Sequence, residues 1–337
     1  MLSLLGYIYG KVAEFRNTLY DKGVFEVFDL GARVISVGNL TAGGTGKTPL
    51  VAYIAGVLAD RGETVCILTR GYGRKDPDKR VLVTDGQRIL TDAKHAGDEP
   101  FELANRLIGK VIIIADADRV SAGEWAKRKF GVTTFILDDG FQHRRVKRDL
   151  DIVCIDATDA FGGGKMLPAG RLREAKTGLE RADVVIITRA NIGSGIAVLR
   201  SGIEDINPDA QIFSSETAIS GAVELYSLYA RSEPSQSHVK EQKAFAFCGI
   251  GKPEIFFKQL WQDGFDAAGT KAFPDHYNYS QKDVVEIESL ACDASAEILL
   301  TTAKDAVKLQ ELEFTIPCYV VEIEMVIDKP NDFAALI

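Results

Sequence analysis

Six consecutive residues, Gly43-Gly44-Thr45-Gly46-Lys47-Thr48, set three glycines, a lysine and a hydroxyl between an apolar run and a helix-like one. Glycines let successive backbone N–H groups turn toward an anion where a side chain would block its approach. Lys47 then reaches the outer phosphates of a nucleotide and Thr48 offers its hydroxyl to Mg²⁺. The run 34–37 before the loop is strand-like and the run 49–58 after it is helix-like. That order points the positive end of a helix at the same anion. The reading is a grip for the phosphates of ATP built from Thr41, Ala42, Gly43, Gly44, Thr45, Gly46, Lys47 and Thr48, with Thr41 at the position where such loops usually carry their first glycine.

A second apolar run, 133–137, ends in Asp138-Asp139, which supplies the acidic group that a nucleotide-binding loop needs at a neighbouring strand end to hold Mg²⁺. Adjacent carboxylates repel, so a cation or basic neighbours must accompany them. Basic residues do follow, in Gln142-His143-Arg144-Arg145-Val146-Lys147-Arg148, and two other loops gather positive charge: Arg70-Gly71-Tyr72-Gly73-Arg74-Lys75 and Lys165 to Arg173. Loops of this charge at one sheet edge would bind a second anionic group besides the nucleotide. Asp98 and Glu99 precede a helix-like run and His276 lies in Phe273-Pro274-Asp275-His276-Tyr277. Read alone, Asp98 fits a helix cap and His276 a loop histidine; beside phosphates, the same pair fits a general base and its partner.

These groups must be held by a scaffold, and the chain is long enough for two domains at 337 residues. Runs rich in Val and Ile at 34–37, 65–68, 111–115, 134–137, 152–155 and 184–187 lack polar alternation, as strands buried on both faces do. Helix-like stretches such as 100–107 and 120–129 lie between them. The pattern predicts a doubly wound, mostly parallel α/β domain with ligands at the carboxyl ends of its strands. A polar stretch at 231–242 interrupts it, and runs at 244–247, 297–301 and 318–323, with helices at 254–263 and 281–292, predict a smaller second α/β domain. The boundary is placed near 211–223.

A formal charge of −8 argues against a general nucleic-acid binder, which needs a basic surface. Five scattered cysteines without a C-x-x-C pair point to buried thiols in a reducing compartment. At the N-terminus Leu5, Ile8, Val12, Phe15 and Leu19 recur at helical spacing, while Lys11, Glu14 and Arg16 rule out a transmembrane span. Periodicity alone favours packing of that face on the protein's own body over insertion in a membrane interface.

Taken in order, the strings 36–49, 70–74, Gly97-Asp98-Glu99-Pro100, Asp138-Asp139-Gly140-Phe141-Gln142-His143, Leu167-Pro168-Ala169-Gly170, 273–276 and 302–308 resemble the tetraacyldisaccharide 4′-kinase family over nearly the whole chain. Even Thr41 is in the family's form of the loop, whereas Arg171, Ala175 and Ala303 depart from its usual residues. The resemblance implies transfer of the ATP γ-phosphate to the 4′-hydroxyl of a tetraacylated glucosamine disaccharide 1-phosphate in lipid A biosynthesis. It implies that Lys47 serves catalysis, that Asp98 and His276 form the base dyad, and that Thr48 and Asp138 bind Mg²⁺ with Asp139 and Glu99 supporting them. Arg70, Tyr72, Arg74, Gln142, His143 and Arg171 become candidates for holding the lipid's phosphate and sugars. It also implies a hinge of two strands near 211–215 and 319–323 between domains 1–212 and 213–337. A peripheral monomer on the cytoplasmic face of the inner membrane follows, which turns the N-terminal helix from a packed element into a membrane-docking one.

The strongest rival is a P-loop ATPase acting as a membrane-associated switch, although Ala42 stands where many of those carry a signature lysine. A GTPase is disfavoured because Thr188-Arg189-Ala190-Asn191 lacks the lysine and aspartate that read guanine.

Overall fold

The computed structural model describes residues 2–226 and 237–337. Residues 231–236 of the expected polar stretch lie outside the described residues. The chain divides into two units, Met1–Glu216 with Val326–Ile337, and Thr217–Met325.

The first unit opens with α1 (Leu2–Asp21), followed by β1 (Arg33–Asn39), α2 (Lys47–Asp60), β2 (Val65–Thr69), β3 (Val81–Asp85), α3 (Ala93–Ala96) and α4 (Asp98–Arg106). It continues with β4 (Ile112–Ala115), α5 (Arg119–Phe130), β5 (Thr134–Asp138), β6 (Leu150–Asp156), β7 (Val184–Thr188), α6 (Ile196–Glu204) and β8 (Gln211–Glu224). Its strands are ordered β3-β4-β2-β5-β1-β6-β7-β8. β1 pairs in parallel with β5 and β6, while only the β3–β4 pair is antiparallel among the pairings within this order. The central strands are buried along nearly their whole length, as their unbroken Val and Ile runs require. α2 packs Leu50, Val51, Ile54, Ala55 and Leu58 inward. α5 is bounded by local chemistry: the Asp118 side chain accepts from the Ser121 N–H, and Gly131 at φ 65 closes the other end.

The second unit contains α7 (Ser237–Lys240), β9 (Ala244–Cys248), α8 (Pro253–Gln262), β10 (Ala267–Ala272), α9 (Gln281–Asp293), β11 (Ile298–Thr302), α10 (Ala303–Ala306) and β12 (Cys318–Ile327). Its strand order is β10-β9-β11-β12-β8, with β9 parallel to both β10 and β11, and β11 parallel to β12. Phe245, Phe247, Leu299, Val320 and Ile287 of α9 form one of its apolar clusters. The capping box of Ser280 and Asp283 starts α9.

β8 and β12 each run across the boundary between units, and the final helix α11 (Pro330–Leu336) belongs to the first unit. The sequence reading had assigned that terminus to the second domain. Packing explains the difference: Phe333 is fully buried, with its ring 5.4 Å from Phe213 and 6.1 Å from Tyr53. Arg33 and Arg61 also donate to the carbonyls of Leu336 and Ile337, each at 2.7 Å.

α1 departs from the packing that its periodicity alone favours. Its periodic apolar residues face outward, with Ile8 50%, Val12 61% and Phe15 65% exposed, and Gly6 is the one buried residue of the helix. The opposite, polar face is the one that packs. Gly6 lies against the Met166 carbonyl, Asn17 donates to Glu174 at 2.9 Å, and Arg144 donates to the Asn17 carbonyl and to Asp21. Among the described residues, no helix is long and apolar enough to cross a membrane.

Candidate active site

The loop between β1 and α2 is shaped for an anion by its backbone. Gly43 and Gly46 hold φ 106 and φ 79, in the region that favours glycine. A Cβ at Gly43 would strike the Arg171 guanidinium, whereas one at Gly44 would meet open space. α2 starts at Lys47 without a side-chain cap, so its first N–H groups are left for a ligand. Pro49, in the first turn, brings no N–H of its own. Around the loop, the Asn39 amide donates to the Thr41 carbonyl at 2.7 Å and to the Thr45 hydroxyl at 2.9 Å. Thr188 donates to the Thr45 carbonyl at 2.9 Å.

Asp138 and Asp139 stand at the end of β5, beside β1 in the sheet. Asp139 adopts φ 50, a backbone state costly for a non-glycine residue, and this kink gives the adjacent carboxylates different partners. Asp138 is buried and accepts from the Thr69 hydroxyl at 2.9 Å. Burial, with Glu99 and Asp139 nearby, pushes its carboxyl up to about 6, against the pull of Lys47 and Thr69. Burial works in the same direction on Asp139, but Lys47, Arg173 and Arg119 outweigh it and hold that group well below the usual carboxylate range. Lys47 Nζ lies 3.3 Å from Asp139 Oδ1, and Arg173 lies 2.7 Å from its other oxygen. Arg119, buried at the start of α5, donates to the backbone carbonyls of Asp138 and Asp139 at 2.7 and 3.3 Å.

Asp98 and Glu99 form the first turn of α4. The cap position belongs to Gly97 at φ 94, so the reading of Asp98 as a cap does not hold. A Cβ on Gly97 would meet the Tyr72 carbonyl at 2.8 Å, and one on Gly71 would meet the Ala96 carbonyl at 2.7 Å. Two glycines thus bring the loop after β2 against the start of α4. On that loop Tyr72 is 76% exposed and Arg70 is exposed near Arg119, whereas Arg74 is buried. The Arg74 guanidinium donates to the Ala115 carbonyl at 2.6 Å and to that of Pro77. It fastens its own loop, which leaves no charge of Arg74 open for a ligand phosphate.

Arg171 is likewise committed. It donates through Nε and Nη2 to the Ala42 carbonyl at 2.9 and 2.7 Å, and through Nη1 to Asp159 at 2.7 Å. Its place is the wall of the phosphate loop. Gln142 donates to the Asn39 carbonyl and to Glu174, each at 2.8 Å. Burial, then the charges of Arg119, Arg148, Arg145 and Arg16, push His143 down to about 3, so it is neutral near pH 7. Between these residues and α1 lies a cavity of about 180 Å³ lined by Tyr9, Val12, Arg16, Asn17, Gln142 and Glu174, among others.

In the second unit His276 sits in the turn after β10 at φ 59, its N–H donating to the Gly249 carbonyl at 3.1 Å. Its Nε2 lies 3.3 Å from Lys304 Nζ.

Several members of the first unit's site escaped the sequence reading: Thr69, Arg119, Arg173, Glu174 and Arg189. Arg189, at φ 56, donates to the Gly44 carbonyl at 3.1 Å and to buried Asp156 at 2.5 Å. Arg173 carried a signal, as part of a basic loop that Glu174 directly follows; Thr69, Arg119 and Arg189 come from segments whose meeting depends on the strand order.

The pattern of the Tetraacyldisaccharide-1-P 4′-kinase family matches residues 1–337. Tetraacyldisaccharide 4′-kinase of Halothermothrix orenii is 37% identical over 353 residues, covering 100% of this chain and 91% of that protein. The enzyme of the same name from Geobacter metallireducens is 39% identical over 310 residues, covering 92% of this chain and 88% of its own. The crystal structure of LpxK from Aquifex aeolicus in complex with ATP superposes with a TM-score of 0.77 at 32% identity, covering 98% of this chain and 96% of that one. The mixed α/β architecture read from the strand runs is therefore a kinase architecture, and the chain belongs to the Tetraacyldisaccharide-1-P 4′-kinase family, the phosphotransferases of lipid A biosynthesis.

Proposed function

We propose that this protein transfers the γ-phosphate of ATP to the 4′-hydroxyl of a tetraacylated glucosamine disaccharide 1-phosphate. The observation that carries the reading is the meeting of Lys47, at the mouth of a glycine loop, with the Asp138-Asp139 pair. In this reading the N–H groups of Gly43 to Thr48 bind the phosphates, and Lys47 follows the charge that moves to the leaving oxygen. Arg173 and Arg119 keep Asp139 charged and its backbone fixed, so that Lys47 stays oriented.

The donor set fits Mg²⁺. Asp138 is a buried carboxyl held toward neutrality beside two other carboxyls, a cost that a cation relieves. Among the described residues no three acidic, histidine or cysteine side chains gather as a metal cage. Magnesium on nucleotides does not need one, since phosphate oxygens and waters complete its shell. Thr48 and Asp138 would hold it, with Glu99 and Asp139 ordering the surroundings, and when bound it neutralises charge on the transferring phosphoryl group.

Asp98 is read as the group that accepts the proton of the attacking hydroxyl, with His276 as its partner. The two belong to different units, joined through β8 and β12, so we read those strands as a hinge whose closure assembles the pair. Arg70, Tyr72, Gln142 and His143 are assigned to the acceptor's sugars and phosphate, with Arg171 and Arg74 shaping the loops around them. The outward apolar face of α1 docks on the cytoplasmic face of the inner membrane, where the lipid resides.

Paired variants test the assignment. Asp98→Ala should abolish phosphoryl transfer and leave ATP binding intact, whereas Lys47→Ala should weaken both. Full transfer by Asp98→Ala would overturn the base assignment.

A further inference from the structure

The motif Thr302-Ala303-Lys304-Asp305 lies in the second unit, not in the one that carries the phosphate loop, and is built tightly against His276. Asp305 is fully buried, accepting from the Gly249 N–H at 3.0 Å, the Tyr279 hydroxyl at 3.0 Å and the Thr302 hydroxyl at 2.6 Å. Gly249 in turn accepts from the His276 N–H. One frame therefore fixes both the backbone of His276 and the helical turn α10 that carries Lys304. Within it, Lys304 Nζ lies 2.9 Å from Asp275 Oδ1 and 3.3 Å from His276 Nε2, with its side chain only 17% exposed. His276 holds φ 59, a conformation that a histidine keeps only where its surroundings enforce it.

An ammonium is a donor without an acceptor, so its contact with Nε2 needs the lone pair of that nitrogen. The proton of a neutral ring must then be on Nδ1. Protonating Nε2 would set two cations against each other at this distance, offset by one shared carboxylate. Two charged groups face Nε2: Lys304 from α10 and Asp275 from its own turn, whose oxygen is 3.9 Å away. From the loop after β9 comes the Gly249 carbonyl, already occupied by the His276 N–H.

We propose that Lys304 is a positioning residue that holds His276 as the neutral Nδ1–H tautomer, leaving Nδ1–H as the donor edge for a carboxylate partner. This rests on the reading of His276 as the partner of Asp98. In that reading, a donor that is already neutral and oriented strengthens the carboxylate's hold on its place without competing for the hydroxyl proton. Asp275 completes the arrangement by keeping the ammonium aimed, as a carboxylate aims a histidine in other catalytic clusters.

The chain has four histidines, so ring-labelled ¹⁵N NMR of the full-length protein resolves His276 by comparison with His276→Gln. The wild type should show an Nδ1–H ring, a result that needs no variant of Lys304. In Lys304→Met, which removes the donor to Nε2, the two tautomers of the His276 ring should mix. The kcat should fall, KM for ATP should stay put, and Lys304→Arg should restore much of the wild-type tautomer ratio and rate. An Nε2–H ring in the wild type would overturn the proposal. So would a Lys304→Met protein that loses activity with an unmoved tautomer ratio, because that is a structural effect. His276→Gln at full rate would instead remove the dyad reading, and the NMR result distinguishes the two failures.

Discussion

Replacing Thr69 by valine removes one hydrogen bond and almost no volume. The Thr69 hydroxyl donates to Asp138 at 2.9 Å, with both residues buried, so no water can take its place without opening the core. A hydrogen bond to a charged group is worth about 1.5–3 kcal/mol. At about 1.36 kcal/mol per pH unit, its loss should raise the Asp138 carboxyl by roughly 1–2 units above its position of about 6. With Asp138 as the proposed Mg²⁺ ligand, the rate should fall at low pH as its carboxyl takes up a proton. The acidic limb of the pH–rate profile should therefore move upward by that amount in Thr69→Val at limiting Mg²⁺. Saturating Mg²⁺ should pull it back, because cation and proton compete for one carboxylate. Glu99→Gln should move the limb the opposite way, since it removes a negative neighbour that opposes ionisation of Asp138. The readout is the midpoint of the limb, not the height of the plateau. An unmoved limb in Thr69→Val, or a shift of both variants in one direction, would refute the reasoning.

Other consequences concern stability and location. Phe333→Ala empties a fully buried site between Phe213 and Tyr53 and should cost about 3–5 kcal/mol, read as a lower urea midpoint; a loss under about 1 kcal/mol would mean that α11 is not docked as described. His143, held down to about 3 from an ordinary value near 6.5, contributes stability present above about pH 6.5 and lost as pH falls toward 3. His143→Gln should flatten urea midpoints across that window by about 2–4 kcal/mol at its acidic end, and an unchanged slope would contradict the burial of a neutral ring. Serine at Leu4, Ile8 and Val12, each exposed, should weaken sedimentation with anionic vesicles at least about tenfold while leaving the Tm unchanged. A fall in Tm without a loss of vesicle binding would show that the face packs on protein instead.

The parts of the site that read directly from the sequence are those in which chemistry and element lie in one contiguous string. β1, its glycine loop and α2 follow one another, and β5 runs straight into Asp138-Asp139, so type and position arrive together. Arg119 and Thr69 were not legible because each sits at an element end whose place beside β5 depends on the order β4-β2-β5-β1. β3 and β10 escaped because they are edge strands. β10 alternates exposed and half-buried residues over Ala267–Ala272, which includes a glycine and three alanines, residues with little β-preference. Arg74 and Arg171 were read from the charge of their loops and from the family resemblance, and neither says whether a guanidinium will meet a ligand or a backbone carbonyl. In α1 the periodicity located the helix correctly and its partner wrongly. Asn17, Arg16 and Gly6 make its inward face because Glu174, Gln142 and the Met166 carbonyl offer hydrogen bonds and close approach. The apolar stripe is left for an external surface.

Phosphoryl transfer is measured by supplying the protein with ATP, Mg²⁺ and the tetraacylated disaccharide 1-phosphate in detergent, and following the lipid by mass with fragmentation to locate the phosphate. One added phosphate, on the 4′ position, should form in step with ADP. ATP hydrolysis at the same rate with an unmodified lipid would contradict the proposed transfer, and would mark the glycine loop and its aspartates as the parts of a switch.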